Sequence, residues 1–536
     1  MAEELKLRPY QMRLVKTALK HLNDYPNSQP IISAPTGSGK SVVVAELCEM
    51  LVKQCTGMIL VLTHRRELVA QNASKLPTHM NVGVFSAGLG KKQLHRVTVA
   101  GFQSIRKNKE ILKKKVSYIL IDECHFALNG YKEFIDKLRE HNKALRVIGL
   151  TATPFDGSAN RTALHLLPAD KAIFTGIGAE VSIGELLREK YLSPLVPYSS
   201  KTRLNTDGVR IVGGEFAQGE LQAAVDVDDL NLQVAREISH IFCERHAVIV
   251  FCAGAQHTEH IRDALRLQGE EAEMILGSTG AAERDRIINN KFKAGKLKYL
   301  IACEVLLVGF DAPLCDGIAN LRPTKSALVW VQLNGRGMRL YPGKESCLVA
   351  DFTETSLEMP PIDEIEGNPP KLGSGQAPTK VCDECFSIIL AGLKFCPVCG
   401  YEFIFQNHED ERQFNPDTGL LISGVIKNED GSRTYPVSEV QYEIRETKSG
   451  APALVANYLS PGRASPVAQD YYNLWHEKES VVRRDSGRWL RRMAASGGSV
   501  PVSAQEALTR AEFGALKQPH SVTVKPGAPW PIRFNT

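Results

Sequence analysis

The sequence predicts an α/β fold built on parallel sheets, and three observations predict it. Short, continuous apolar runs recur at strand length, over 58–63, 97–100, 116–121, 145–150, 247–252 and 299–303. Runs of this kind suit strands covered on both faces. Stretches with helical periodicity separate them, which gives the strand–helix alternation of a parallel sheet. Third, Ile31-Ile32 feeds Ala34-Pro35-Thr36-Gly37-Ser38-Gly39-Lys40-Ser41, and a helical stretch leaves that loop. A strand, a glycine-rich turn and a helix start are the context in which backbone N–H groups cradle phosphate.

Within that loop Lys40 would reach the β- and γ-phosphates of a nucleotide and Ser41 would hold Mg²⁺. The first position of G-x-x-x-x-G-K-[ST] is here Ala34, which serves if its φ stays negative. Upstream, Leu7-Arg8-Pro9-Tyr10-Gln11 opens an amphipathic helix with Leu14, Val15, Ala18, Leu19 and Leu22 on one face. The Gln11 amide carries a donor and an acceptor and could pair with adenine.

Downstream, the run 116–121 leads into Asp122-Glu123-Cys124-His125. Carboxylates at the C-terminal end of a strand sit where open α/β sheets bind ligands. Asp122 would hold Mg²⁺ through water, and Glu123 would orient and deprotonate an attacking water. The run 145–150 then leads to Thr151-Ala152-Thr153-Pro154.

The ordered set Arg-Pro-Tyr-Gln, Ala-Pro-Thr-Gly-Ser-Gly-Lys-Ser, Asp-Glu-Cys-His and Thr-Ala-Thr-Pro resembles the superfamily 2 helicases of DEAD/DEAH type. Over 182–194, Ser182-Ile183-Gly184-Glu185-Leu186-Leu187 and Tyr191-Leu192-Ser193-Pro194 resemble the connector of the XPB-like branch. The resemblance covers about residues 1–355. It implies two tandem RecA-like domains with ATP and Mg²⁺ between them, and an arginine finger in the second half. There, Gly309-Phe310-Asp311 and Gln332-Leu333-Asn334-Gly335-Arg336-Gly337-Met338-Arg339 stand in the family's order. On a helix, Gln332, Arg336 and Arg339 would share a face, and such fingers are worth on the order of 10³–10⁵ in rate. The resemblance further implies that His125, Thr151, Thr153 and Asp311 relay closure, and that Arg65, Gln103 and Ser104 meet nucleic acid. Two positions depart from the family: Gly101 and Cys303 stand where a backbone-contacting Thr is common.

Length and composition bound the rest. The chain has 536 residues, a formal net charge of +5 and twelve cysteines, room for roughly three to four domains. No apolar run approaches the roughly 20 residues of a membrane helix, and residues 1–6 form no signal core. Eight cysteines are scattered, a cytosolic rather than a disulfide pattern. The other four, Cys382-x-x-Cys385 and Cys396-x-x-Cys399, suit a tetrahedral Zn²⁺ ribbon. Beyond 430, Tyr435, Val437, Val440, Tyr442 and Ile444 suggest short strands. The tail resembles C-terminal modules of phage and prophage helicases. In Arg483-Arg484-Asp485-Ser486-Gly487-Arg488-Trp489-Leu490-Arg491-Arg492, Arg488 could hold phosphate while Trp489 stacks on a base or ribose; a helix with one buried Trp and a solvated basic face is the equal alternative. A second basic region runs from Lys91 to Lys115.

The expected organisation is therefore an ATP-binding domain (1–165), a connector (166–235), a helicase C-terminal domain (236–354), a linker (355–380), the zinc ribbon (381–404) and an α+β accessory nucleic-acid-binding module (430–536). The expected activity is an ATP-dependent helicase or translocase acting on double-stranded, branched or single-stranded DNA. RNA is the alternative partner, and a duplex translocase without strand separation the alternative action. Such a protein would work as a monomer or transient oligomer, with no membrane partner, in the cytoplasm of a bacterium or a phage-infected cell.

Overall fold

Residues 9–180 build the first lobe, beginning with a helix that precedes every strand in the chain. Its buried face in α1 (Pro9–Asp24) is Tyr10, Gln11, Leu14, Val15, Ala18, Leu19 and Leu22, and Pro9 occupies the first turn. The computed structural model describes residues 7–127, 130–158, 160–307, 309–368, 379–381, 388–390, 422–428, 430–447, 450–461, 466–476, 478–493, 499–525 and 531–535.

Eight strands form the first sheet: β1 (Pro30–Ser33), β2 (Met58–Thr63), β3 (Gly83–Ser86), β4 (Lys91–Lys92), β5 (Val97–Gly101), β6 (Val116–Asp122), β7 (Arg146–Thr151) and β8 (Gly176–Glu180). Their order is β4-β3-β5-β2-β6-β7-β1-β8. Only the short edge strand β4 runs antiparallel to its neighbour. The interior strands β1 and β2 are buried at every position, because helices cover both faces. Register fixes the business end of the sheet. Ser33 of β1 pairs with Thr151 of β7, and Asp122 of β6 pairs with Leu150 of β7. The strand ends before the glycine loop, the Asp-Glu pair and the Thr-Ala-Thr segment therefore lie side by side, and the helices α2 (Lys40–Gln54) and α3 (Arg66–Lys75) flank them.

The second lobe holds an all-parallel sheet of β9 (Leu195–Ser199), β12 (Val248–Cys252), β13 (Ala272–Ile275), β14 (Tyr299–Ala302), β15 (Gly317–Leu321) and β16 (Cys347–Asp351), in the order β13-β14-β12-β15-β16-β9; β10 (Ile211–Val212) and β11 (Glu215–Phe216) form a separate hairpin. Inner-face residues of both sheets, among them Leu150 and Ile32 from one and Ile318 and Val349 from the other, merge into one buried apolar cluster. The mixed α/β class with two parallel sheets is thus the one the apolar runs predict.

Two expectations about connecting segments change. The segment expected as a connector supplies an edge strand to each sheet, β8 to the first and β9 to the second. Backbone pairing over long range decides this, and local composition does not carry it. Residues 355–368, expected as linker, are packed. Pro361 and Ile362 are buried, and Asn368 pairs with Thr162 of the first lobe.

After a small antiparallel pair, β17 (Thr379–Val381) with β18 (Ile388–Leu390), the C-terminal module contains two antiparallel sheets. One runs β19 (Ile426–Lys427), β20 (Arg433–Pro436), β24 (Ser521–Val524), β25 (Pro531–Asn535). The other runs β21 (Glu439–Glu446), β22 (Pro452–Leu459), β23 (Ala468–Tyr472). Helices Glu479–Arg492 and Ala504–Glu512 help to close its core. Among the described residues no helix is long and apolar enough to cross a membrane.

Candidate active site

The glycine loop 34–39 leaves β1 and ends where α2 begins. Gly37 and Gly39 have φ of 87° and 78°, a left-handed backbone that favours glycine. Space demands glycine as well. A Cβ on Gly39 would lie 2.6 Å from Nε2 of Gln11, and one on Gly37 would lie 3.3 Å from Cγ of Arg339. Ala34 is not among the residues with positive φ, which removes the objection to alanine at the first motif position.

The start of α1 clamps this loop. The Tyr10 hydroxyl donates to the Ser38 carbonyl at 2.7 Å, and Gln11 Nε2 donates to the same oxygen at 2.9 Å. Gln11 Oε1 accepts from the Arg8 N–H at 2.9 Å. Both ends of the Gln11 amide are thus engaged by the chain, where adenine pairing was expected of it, because Ser38 presents an otherwise unpaired loop carbonyl.

Lys40 Nζ donates to the Ala34 carbonyl at 3.3 Å and lies 3.7 Å from Glu123 Oε1. Ser41 Oγ accepts from Gln71 Nε2 at 3.2 Å. Asp122 is buried at the end of β6, where Asn72 Nδ2 donates to it at 2.8 Å and the Glu123 N–H at 3.0 Å. Burial, and then the neighbouring Glu123 charge, push the Asp122 carboxyl up. Burial also pushes Glu123 up, but Lys40, His125 and Arg336 outweigh it and hold that carboxyl below the usual range. Two adjacent carboxylates are driven apart in this way, one of them firmly anionic.

His125 is fully buried, and burial pulls its imidazole down to about 4, so it is neutral at physiological pH. Nδ1 faces Thr151 Oγ1 at 2.8 Å and Thr153 Oγ1 at 3.3 Å. Nε2 meets Gln332 Nε2 of the second lobe at 3.2 Å. An amide N–H needs an acceptor, so the ring proton belongs on Nδ1, where it is donated to Thr151.

The second lobe brings two guanidiniums. Helix Ala327–Asn334 starts at the Ser326 cap. The helical face expected to carry Arg336 and Arg339 stops short of them: the helix ends at Asn334, and both arginines stand on the turns that follow. The chain tightens there, with Arg336 N bonded to Leu333 O and Gly337 N to Asn334 O. Arg336 is 4% exposed. Its Nη1 and Nη2 donate to the carbonyls of Phe310 and Leu307 at 2.5 and 2.7 Å, and burial pulls it down to about 9. Arg339 Nε lies 3.0 Å from Asp311 Oδ1 and its Nη1 donates to Phe310 O at 3.0 Å. The segment 309–311, whose Gly309 has φ 75°, therefore aims both arginines.

A cavity of about 260 Å³ between the lobes is lined by Lys40, Ser41, Asp122, Glu123, Arg336 and Arg339, with Arg8 and Tyr191 also on its wall. Lysine, arginines and loop N–H groups on opposite walls suit a polyphosphate, and the anionic Glu123 suits water as a proton donor.

The other expected nucleic-acid residues are scattered. Arg65 lines a wider cleft of about 710 Å³ with Arg66, Lys75, Arg284 and Lys293. Gln103 is exposed, and Ser104 Oγ accepts from the Ala87 N–H. The base-stacking expectation for Trp489 is overturned: the ring is 0% exposed and packs edge-on against Tyr472 in the module core. Arg488 is committed to Asp470, Asp485 and the Tyr471 carbonyl. An apolar ring on a short helix is worth more buried than stacked in solvent, and the arginine follows its helix. Cys382, Cys385, Cys396 and Cys399 lie outside the described residues. Sequence reasoning missed Gln71, Asn72 and Tyr10. Asn72 was findable: it sits on the apolar face set by Leu68 and Val69, where a lone amide asks for a buried partner.

The family "Type III restriction enzyme, res subunit" matches residues 4–156, and "Helicase conserved C-terminal domain" matches residues 234–341. IRC3 of Saccharomyces cerevisiae, which carries an ATP-dependent helicase name, is 27% identical over 344 residues, covering 61% of this chain and 48% of its own. A 51.5 kDa protein of a Lactococcus phage is 23% identical over 404 residues, 74% of this chain and 83% of its own. The ATP-dependent DNA helicase uvsW of Enterobacteria phage T4 is 20% identical over 340 residues, 62% of this chain and 66% of its own. The chain thus spans about half the length of its yeast relative. Both helicase segments are matched in order and meet at one cleft, so the chain carries the paired motor segments found in superfamily 2 helicases.

Proposed function

We propose that the protein is an ATP-dependent DNA helicase or translocase in which ATP binding closes the cleft between the two lobes and release after hydrolysis reopens it. The observation that carries this reading is the cavity whose walls come from both lobes, with Glu123 close enough to feel the Arg336 charge. Lys40 and the loop N–H groups bind the triphosphate. Glu123 takes the proton of the attacking water. Arg336 and Arg339 neutralise charge developing at the γ-phosphate. His125 and Gln332 report closure from one lobe to the other, and Thr151 and Thr153 stand on the path outward.

Ser41 and the buried, otherwise costly Asp122 carboxylate fit a divalent cation, Mg²⁺, which would supply charge neutralisation at the β- and γ-oxygens. DNA as the partner rests on the name of the T4 relative, and the phage relatives support action inside an infected bacterial cell. Four thiolates in two Cys-x-x-Cys pairs suit Zn²⁺ as a structural ion. Metal analysis of the purified chain and of its Cys382→Ser variant would test that ion: about one zinc per chain, lost in the variant.

The functional test is an ATPase and unwinding assay across forked DNA, duplex DNA and RNA. Fork-stimulated turnover that falls about 10²-fold or more in Glu123→Gln, with ATP binding kept, supports the reading. Turnover retained in that variant removes Glu123 from its role, and stimulation by RNA alone replaces DNA as the partner.

A further inference from the structure

The chain crosses between the lobes twice, and both crossings lie together. The first passes from Glu180 at the end of β8, through helix Ile183–Arg188, to Leu195 at the start of β9. The second is the segment 360–368. Up to Glu358 the chain still belongs to the second lobe, held by the Asn320–Asp351–Thr353 bonds and by Lys325 on Glu358. Then it returns to the first lobe. Ala163 N–H donates to the Asn368 carbonyl at 2.9 Å, Asn368 N–H donates to the Arg161 carbonyl at 2.7 Å, and Asn368 Nδ2 donates to Asn160 O at 2.8 Å. The approach is close enough that a Cβ on Gly367 would lie 2.8 Å from Cα of Ala163.

The first hairpin of the C-terminal module closes over both crossings. Asp363 accepts three bonds from it: Ser423 N–H at 2.7 Å, Ser423 Oγ at 2.8 Å and Gly424 N–H at 2.7 Å. Glu366 lies 2.9 Å from both Lys427 and Arg433. Lys427 also reaches Glu180 on the first lobe at 3.2 Å. On the connector helix, Gly184 lets the Val425 carbonyl sit where a Cβ would lie 2.5 Å from it. Beneath these contacts is a cavity of about 340 Å³ that reaches Pro35 and Thr36 of the glycine loop, Thr153 and Pro154, and Val331 and Met338 of the second lobe.

We propose that residues 360–368 and the hairpin 423–436 form a clasp over the hinge of the motor, so that the C-terminal module rides with the first lobe while the second lobe swings. Sequence order suggests the opposite, because the module follows the second lobe. The contacts decide otherwise: hydrogen bonds and ion pairs join the module to the strap and to β8, and the Val425 carbonyl packs against Gly184 of the connector helix, all on the side of the first lobe. Two adjacent crossings define a rotation axis, and the first of them, through Tyr191, borders the cavity of Lys40 and Arg336. Whatever the module holds is then carried with the glycine loop and not with the arginines. The assignment of the swing rests on the ATP-driven reading above, whereas the docking itself does not.

The test uses the full chain with a protease site placed among Gly373-Ser374-Gly375. After cleavage the C-terminal fragment should co-elute with the motor, both without nucleotide and with a non-hydrolysable ATP analogue. Asp363→Ala/Glu366→Ala should weaken that association roughly tenfold or more, with Lys427→Glu as a second variant on the half-buried hairpin. Hydrogen exchange on the uncleaved chain gives a readout that needs no variant. On nucleotide removal the Ala163 and Asn368 amides should keep their protection while amides around Gln332 lose theirs. Separation of the cleaved wild-type fragments overturns the clasp even if ATP hydrolysis is normal. Strap amides that exchange in step with Gln332 overturn the hinge even if the fragment stays bound.

Discussion

Gln332 Nε2 donates to His125 Nε2 across the lobe boundary at 3.2 Å, and both side chains are buried. The bond exists only while the imidazole is neutral and carries its proton on Nδ1. Replacing the amide by a carboxylate inverts that demand. Gln332→Glu offers an acceptor to an acceptor, unless the ring takes a second proton against the burial that holds it near 4. The expected result is a fall of about tenfold in nucleic-acid-stimulated kcat, a loss of about 1.4 kcal/mol of closed-state stabilisation. The KM for ATP should change far less, since neither residue lines the nucleotide cavity. Steady-state kinetics with and without DNA separates the two.

Asn72 supports Asp122 from inside α3. Asn72→Leu keeps the volume and removes the only side-chain donor found on that carboxylate among the described residues. A buried charge that loses a charge-assisted bond costs about 1.5–3 kcal/mol. The variant should therefore melt several degrees lower and bind nucleotide more weakly, measured by calorimetry with and without ATP analogue. An unchanged melting point would mean that the Glu123 N–H alone suffices for Asp122.

How much of this was legible in the sequence depends on the range of the interaction. The run 58–63 became β2 at the same limits, because a strand buried on both faces has no polar face to confuse the pattern. The glycine loop, the Asp-Glu pair and the arginines are local strings, and their convergence follows from the parallel order of strand ends. What escaped depends on partners far away in sequence. The Gln11 amide turned to Ser38, a loop carbonyl that local pattern does not reveal. Trp489 looked like a stacking platform only until Tyr472 and the strands from 452 onward closed over it. Residues 360–368 carried the proline and acid content of a linker, yet Asp363 and Glu366 are the groups that fasten them.

The pair His260–Asp226 makes stability depend on pH near neutrality. His260 Nδ1 lies 2.8 Å from Asp226 Oδ1. That hydrogen bond raises the imidazole above its ordinary 6.5, with burial opposing it and Asp226, Asp228 and Glu259 adding to it. The protonated form is the one the fold favours. Its contribution is complete below about pH 6.5 and is lost as pH rises through the raised value. Melting temperature should therefore fall slightly from pH 6.5 to 8, and His260→Gln should flatten that part of the profile. The effect is small, because the ring is half exposed. A wild-type profile no steeper than that of the variant would dismiss the pair.

Gly335 lies tightly against the opposite lobe. A Cβ there would lie 2.6 Å from Cβ of Thr36, on the glycine loop of the opposite lobe. Neither atom is the far end of a flexible chain, so Gly335→Ala forces the arginine turn away from the nucleotide loop. The three atoms nearest the added methyl all belong to Thr36, and Gly335 has an ordinary helical φ of −60°. The variant should fold with a melting point close to wild type, while the KM for ATP rises and kcat falls together. A displacement of about 1 Å at a positioned group costs on the order of 10²-fold in rate. Rescue is available from the other side: Thr36→Gly removes the side chain that the new methyl strikes. Recovery of turnover in the double variant, beyond what either single change allows, would place the defect at lobe closure; failure to recover would place it in the arginine turn itself.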